Sequence, residues 1–372
     1  MSKYRVISSD NHVVEPPDLW TGRIESKFKD RAPRIVREDG ADWWVCDGIK
    51  VVSVHPGTQT GRRFEEPEKM TRQDTFENVR PGGYIPEEHI KDLDVDGMDV
   101  SIVYPSVGLL LYRVPDGQLL DSVFSVYNDW LAEFCSPFPD RIKGIAMVNV
   151  DDVHLGIKEL ERCHKLGLAG AMITVYPPED RAYHLPDYEP LWAAAQDLGM
   201  PLSFHISTNR PARGEKFPAF RSLPPAYICN ADNWVRMSLA HMIFSGVFER
   251  YLKLQVGAVE HEMSWVPHFL DRLDYTYTQR APSDFTYRYK ENMLPSDYFH
   301  RNVFVGFQED AMGVKDRHLI GVDTMQWGSD YPHQESTFPR SQQILDEILS
   351  DCTEEEKAKI VGGNAARVYH LD

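Results

Sequence analysis

A chain of 372 residues with 42% apolar and 26% charged side chains has the make-up of an ordinary globular protein, long enough for two or three average domains or for one α/β barrel. Its formal net charge of −17 argues against nucleic acid and against anionic membrane surfaces as partners. Five cysteines, an odd number without a Cys-x-x-Cys pair, and the lack of any apolar signal core or bilayer-length run lead to the expectation of a cytoplasmic protein acting on a small molecule.

The opening segment, Tyr4 to His12, reads as an apolar strand that ends in Asp10, Asn11 and His12. Alternate side chains of a strand share a face, so Asp10 and His12 point the same way, and a carboxylate oxygen with an imidazole nitrogen suits a divalent metal. The prolines at 16 and 17 stop the ladder. A polar stretch follows to about Glu88, in which Asp47-Gly48 between apolar runs signals a hairpin. It reads as an insertion at about 30–88 laid over a single domain that takes in the rest of residues 1–372. From Leu93 onward apolar strands alternate with helices: Asp99–Pro105, Lys143–Asn149, Ala169–Tyr176, Pro201–Ile206, Leu252–Glu260, Asn302–Phe307 and Gln326–Asp330. With the opening strand these make eight. Runs that are apolar on both faces predict a parallel sheet covered by helices, and eight βα units predict an α/β fold of the (β/α)8 TIM-barrel type with a hairpin and loop inserted after the first strand. An open doubly wound sheet would call for a Gly-rich turn after strand one, and Asp-Asn-His-Val-Val-Glu offers none.

Active sites of such barrels lie at the C-terminal strand ends. The strand tips carry Asp10 and His12, then His205, then Glu260-His261-Glu262, then Asp330 with His333 in the loop beyond. Polar, metal-competent side chains at four tips of one rim predict a metal site.

At this point the sequence resembles the amidohydrolase superfamily, in the branch of aminocarboxymuconate semialdehyde decarboxylase and the resorcylate and carboxyvanillate decarboxylases. The resemblance rests on Asp10-Asn-His12 with Glu15-Pro16, Leu93-Asp-Val-Asp-Gly-Met-Asp99, Phe204-His205, Phe244–Arg250, Trp265–Pro267, Gly328-Ser-Asp-Tyr-Pro-His333 and Gly363–Arg367. It implies metal ligands at Asp10, His12, His205 and Asp330, with Glu260 where the family places a His or an acid on strand six. His261 stands in for Glu260 if the alignment slips by one. Asp330, Glu260 and His261 are thus the candidate catalytic groups. Arg210 and Arg213 could grip a carboxylate, Tyr104 and Trp265 could line an aromatic pocket together with Trp43, Trp44 and Tyr176, and His333 could reach the site from its loop. The implied cofactor is a divalent transition metal (Zn, Fe or Mn): one ion, since strand four lacks the bridging Lys of binuclear members, or two if Glu260 bridges. The expected partner is a small, aromatic or cyclic carboxylated substrate, and barrels of this kind often form homo-oligomers, here a dimer. Because Asp-x-His and the strand-six Glu depart from the decarboxylase pattern, the sequence favours a hydrolase that activates water against an amide, ester, lactone or thioester carbonyl. The alternative is a non-oxidative decarboxylase of an aromatic or muconate-type acid, and a barrel that only binds ligand comes third.

Overall fold

The computed structural model describes residues 4–211, 228–280 and 287–371. Eight parallel strands follow one another in chain order around the sheet: β1 (Ile7–Val13), β5 (Val100–Pro105), β6 (Ile142–Met147), β7 (Gly170–Ile173), β8 (Leu202–His205), β9 (Val256–Val259), β10 (Val303–Phe307) and β11 (Met325–Trp327), where β2 to β4 are the strands of the insertion between β1 and β5. Every residue of these barrel strands is buried except one in β6. That is the pattern of a sheet with helices outside and a filled interior, the (β/α)8 barrel.

Capping residues fix where the helices begin. Asp116 accepts the backbone N–H groups of Gln118 and Leu119 at the start of Gly117–Cys135. Asp152 does the same with His154 and Leu155 for Val153–Lys165. Gly97, at φ 74°, closes the helix Pro86–Asp96 in the left-handed conformation that glycine adopts without steric cost.

The two edges of the sheet meet without a regular ladder between β1 and β11. The backbone just after β11 does the joining: the Asp330 N–H donates to Asp10 O at 2.7 Å, and the His12 N–H donates to Tyr331 O at 2.6 Å.

The insertion is a three-stranded antiparallel sheet rather than a hairpin: β2 (Arg34–Glu38), β3 (Ala41–Cys46) and β4 (Ile49–Ser53). Asp39-Gly40 and Asp47-Gly48 form its two turns, all four residues at positive φ as type I′ turns require. The sequence shows the second turn plainly. It conceals β2, whose side chains are mostly exposed and charged.

Behind β1, His89 is fully buried, with Nδ1 bonded to Gly82 O at 2.8 Å and Nε2 to Ser101 Oγ at 3.0 Å. Burial lowers its pKa from 6.5 to about 4. An unfolded chain therefore takes up this proton near pH 6.5 and the folded chain only near 4, so the stability due to His89 is complete above 6.5 and drains away as pH falls to 4. The expected loss at pH 4 is about 3 kcal/mol. Urea midpoints measured from pH 7 to pH 4 check this, and His89→Gln should flatten the slope.

Candidate metal centre

At the C-terminal rim, Asp10 and His12 from β1, His205 from the tip of β8 and Glu260 just past β9 present one ligand atom each, all within 4.8 Å of one another. Asp330, three residues beyond β11, joins them: its Oδ1 lies 3.0 Å from His12 Nε2. Asp10 Oδ1 is 3.4 Å from both His12 Nε2 and His205 Nε2, and Glu260 Oε2 is 3.3 Å from His205 Nε2.

Each imidazole is turned by a backbone carbonyl. His12 Nδ1 donates to Pro105 O at 2.9 Å and His205 Nδ1 to Ile206 O at 3.2 Å, which leaves both Nε2 lone pairs facing the centre. The inward atoms Asp10 Oδ1, His12 Nε2, His205 Nε2, Glu260 Oε2 and Asp330 Oδ2 are buried and have no hydrogen-bond partner among the described residues. Unbonded buried polar atoms are costly, and the four from Asp10, His12, His205 and Glu260 lie close enough together to share a cation, with Asp330 beside His12. A donor set of carboxylates and imidazoles suits manganese, iron or zinc.

Electrostatics support the same fit. Burial and the neighbouring charges of Asp330 and Asp10 push Glu260 well above the usual carboxylate range. Burial would also raise Asp10, but the imidazoles of His205 and His12 outweigh it and hold Asp10 low. Asp330 is likewise lowered against its burial by His333 and His12. The buried carboxylates of Asp10 and Asp330 and the half-buried one of Glu260, beside two imidazoles, are short of positive charge, and a dication makes up the deficit.

Backbone strain is concentrated here. Glu260 and Asp330 take φ of 58° and 61°, a left-handed conformation that costs a non-glycine residue roughly 1–3 kcal/mol and marks functional positions. Gly328 packs against Asp10: a Cβ there would fall 2.6 Å from Asp10 Cβ and 3.0 Å from its backbone N. Gly328→Ala is therefore expected to displace Asp10, to cost about 1–3 kcal/mol and to empty the metal site. Urea titration and metal analysis of the purified variant test both effects.

His333 stacks on His12 with ring centroids 3.9 Å apart, and its Nδ1 bonds Asp330 Oδ1 at 2.9 Å while its Nε2 meets Ser106 Oγ at 2.8 Å. Glu15, buried, accepts the amides of Val107 and Gly108 at 3.0 and 2.8 Å, which seats the helix Val107–Leu111 beside the centre. A cavity of about 220 Å³ is lined by Glu260 and His333, by Leu109 and Leu110 of that helix and by Trp44 and Val52 of the inserted sheet.

Several expected site residues lie elsewhere. Glu260, not His261, enters the cluster. His261 is buried behind His205, and burial together with that neighbour lowers it to about 3. Arg210 does not reach the cavity: it is buried, ion-paired with Asp151 and bonded to the carbonyls of Tyr112 and Val114. Arg213 lies outside the described residues. Tyr104 braces the imidazoles rather than lining the pocket: its ring centroid is 5.0 Å from that of His205, and its hydroxyl bonds Ser203 Oγ at 2.8 Å. Trp265 turns away, donating to Glu262 O at 2.9 Å and packing on Phe269. Tyr176 packs on Trp234, so of the aromatic residues considered Trp44 is the one in the cavity wall. His55, Arg72 and Ser106 also line the cavity and carried no local signal.

Among the described residues no helix is long and apolar enough to cross a membrane. The chain is 24% identical over 299 residues to the gamma-resorcylate decarboxylase of Polaromonas sp. JS666, covering 77% of this chain and 88% of that one. Its fold is similar to that of an amidohydrolase from Mycobacterium avium subsp. paratuberculosis (TM-score 0.77, 22% identity, 99% and 98% of the two chains covered). It is also similar to that of a dihydroxybenzoic acid decarboxylase from Polaromonas sp. JS666 crystallised with manganese and the inhibitor 2-nitroresorcinol (TM-score 0.64, 18% identity, 99% and 97% covered). The amidohydrolase family matches residues 78–371, a span that begins late in the insertion and takes in every barrel strand but the first; on that match this chain belongs to the amidohydrolase family.

Proposed function

We propose that this protein is a metal-dependent, non-oxidative decarboxylase of small aromatic acids that carry a hydroxyl beside the carboxylate. The observation that carries the reading is the group of unbonded donor atoms from Asp10, His12, His205 and Glu260, the last of which also lines an apolar-walled cavity, in a chain similar to gamma-resorcylate decarboxylases along 77% of its length. The reading replaces the hydrolase that Asp10-x-His12 and Glu260 favoured, since in both chemistries those residues serve as ligands and the relatives are decarboxylases.

A divalent cation, manganese by analogy with the Polaromonas structure, would be held by Asp10, His12, His205 and Glu260 with Asp330 at its edge, and would supply the positive charge that grips the substrate's carboxylate and hydroxyl oxygens. The chain's own groups then move the proton. Asp330 Oδ2, unbonded and held by its neighbours in the low-pKa, ionised form, accepts the proton of the substrate hydroxyl. It delivers that proton to the ring carbon bearing the carboxylate. The carbon–carbon bond breaks, its electron pair returns to the ring, and carbon dioxide leaves, after which the phenolate takes a proton from solvent. His333 fixes Asp330 Oδ1 throughout and is itself anchored to Ser106. Trp44, Leu109 and Leu110 keep water from the ring face.

Manganese-loaded protein incubated with 2,6-dihydroxybenzoate in heavy-oxygen water should release carbon dioxide and form resorcinol without solvent oxygen in the product. Consumption of aryl esters or thioesters with solvent oxygen incorporated, and no carbon dioxide from the acid, would overturn the reading.

A further inference from the structure

The side chains around the cavity are not all engaged. Of those able to carry charge, Glu260 belongs to the metal centre, His333 is bonded at both ring nitrogens, and Arg72 and Glu335 are exposed. His55 is different. It stands just past β4, at the tip of the inserted sheet, and is 8% exposed. Its Nδ1 lies 2.6 Å from Ser53 Oγ, which fixes the ring, while its Nε2 has no hydrogen-bond partner among the described residues. Burial, and after it the charges of Arg72 and His333, lower its pKa to about 4, so at neutral pH the ring is uncharged. Uncharged, it offers at Nε2 one donor or one acceptor according to where its proton sits, and a hydroxyl, which both donates and accepts, meets either. A second carboxylate would share the cavity with the acidic Glu335.

We propose that His55 is a specificity-determining residue: its Nε2 holds a second hydroxyl on the substrate ring, one that the metal does not take. This rests on the decarboxylase reading for what the metal centre binds. The barrel then supplies the chemistry, and the inserted sheet, through Ser53 and His55, chooses among hydroxylated aromatic acids.

The test measures calorimetric binding of five acids to the manganese-loaded full chain: 2-hydroxybenzoate and the four dihydroxybenzoates that add a hydroxyl at ring position 3, 4, 5 or 6. One neutral hydrogen bond is worth about three- to tenfold in affinity, so at least one dihydroxy acid should bind that much tighter than the monohydroxy acid. His55→Phe keeps a flat ring and removes both nitrogens. It should cancel the advantage and leave 2-hydroxybenzoate within about twofold of its wild-type affinity. His55→Ala, which cannot overpack the wall, should do the same, and His55→Gln, whose amide can bond a hydroxyl, should recover part of the advantage. An advantage that survives the Phe and Ala changes intact would overturn the assignment. Equal affinity of all five acids for the wild type, or an equal loss of all five in the variants, would overturn it as well. Carbon dioxide is assayed in parallel: a preference that depends on His55 with no carbon dioxide from any acid sinks the decarboxylase reading and leaves the assignment standing, whereas carbon dioxide release with affinities indifferent to His55 does the reverse.

Discussion

Asp330→Asn should reduce carbon dioxide release about a thousandfold while leaving the folded chain intact. The change keeps the size of the side chain and an oxygen for His333 Nδ1, and the backbone bond from Asp330 N to Asp10 O is untouched. What goes is the basic oxygen Oδ2, buried and without a hydrogen-bond partner. A positioned acid–base group contributes typically 10²–10⁴ in rate, and here the same atom both collects and delivers the proton. Turnover is followed with 2,6-dihydroxybenzoate, with circular dichroism and metal content as controls. A variant that keeps a tenth or more of the wild-type rate with its metal in place would assign the proton to another group.

Stripping the metal should lower thermal stability measurably, by roughly 5 °C. The cause is the set of carboxylates of Asp10 and Asp330, both buried, and of Glu260, half-buried, which the fold holds beside two imidazoles where a cation would neutralise them. Any ligand that binds only the folded state stabilises by RT ln(1 + [L]/Kd), about 2.7 kcal/mol at a hundred times Kd, and a chain of this size converts that into a few degrees. Dialysis against a chelator should lower Tm, and added manganese should restore it. His205→Ala, which removes one of the two imidazole ligands, should abolish the metal-dependent difference. A melting temperature indifferent to chelator and manganese alike would remove the metal centre and with it the proposed chemistry.

Much of this site is legible in the sequence because parallel strands covered on both sides are apolar throughout, so a polar residue at a strand tip stands out. Asp10, His12, His205, Glu260 and Asp330 all stand out on that ground, although β11 itself ends at Trp327, three residues before Asp330. The choice between Glu260 and His261 was not legible. β9 ends at Val259, Glu260 turns left-handed, and the two-residue alternation that assigns faces stops where it is needed. Arg210 was misread for a different reason: its partner Asp151 is 59 residues away, and nothing near the arginine announces the pairing. Strand β2 carries no such sign because Arg34-Ile-Val-Arg-Glu38 is the exposed edge of the small inserted sheet, whose buried residues lie in β3 and β4. His55 and Arg72 reach the cavity only through the way that sheet lies on the barrel, a long-range outcome with no local sign.

The join between β1 and the segment after β11 has one more consequence. Asp10, His12 and Asp330 lend their backbones to the seam, and their side chains belong to the groups able to hold a cation, so the ring is sewn shut by the residues to which the proposed chemistry is assigned. Topological closure and chemical competence are therefore a single event. A chain whose sheet edges have not met possesses the same side chains without the seam that brings Asp330 beside His12, so on the proposed function an open barrel lacks a complete site.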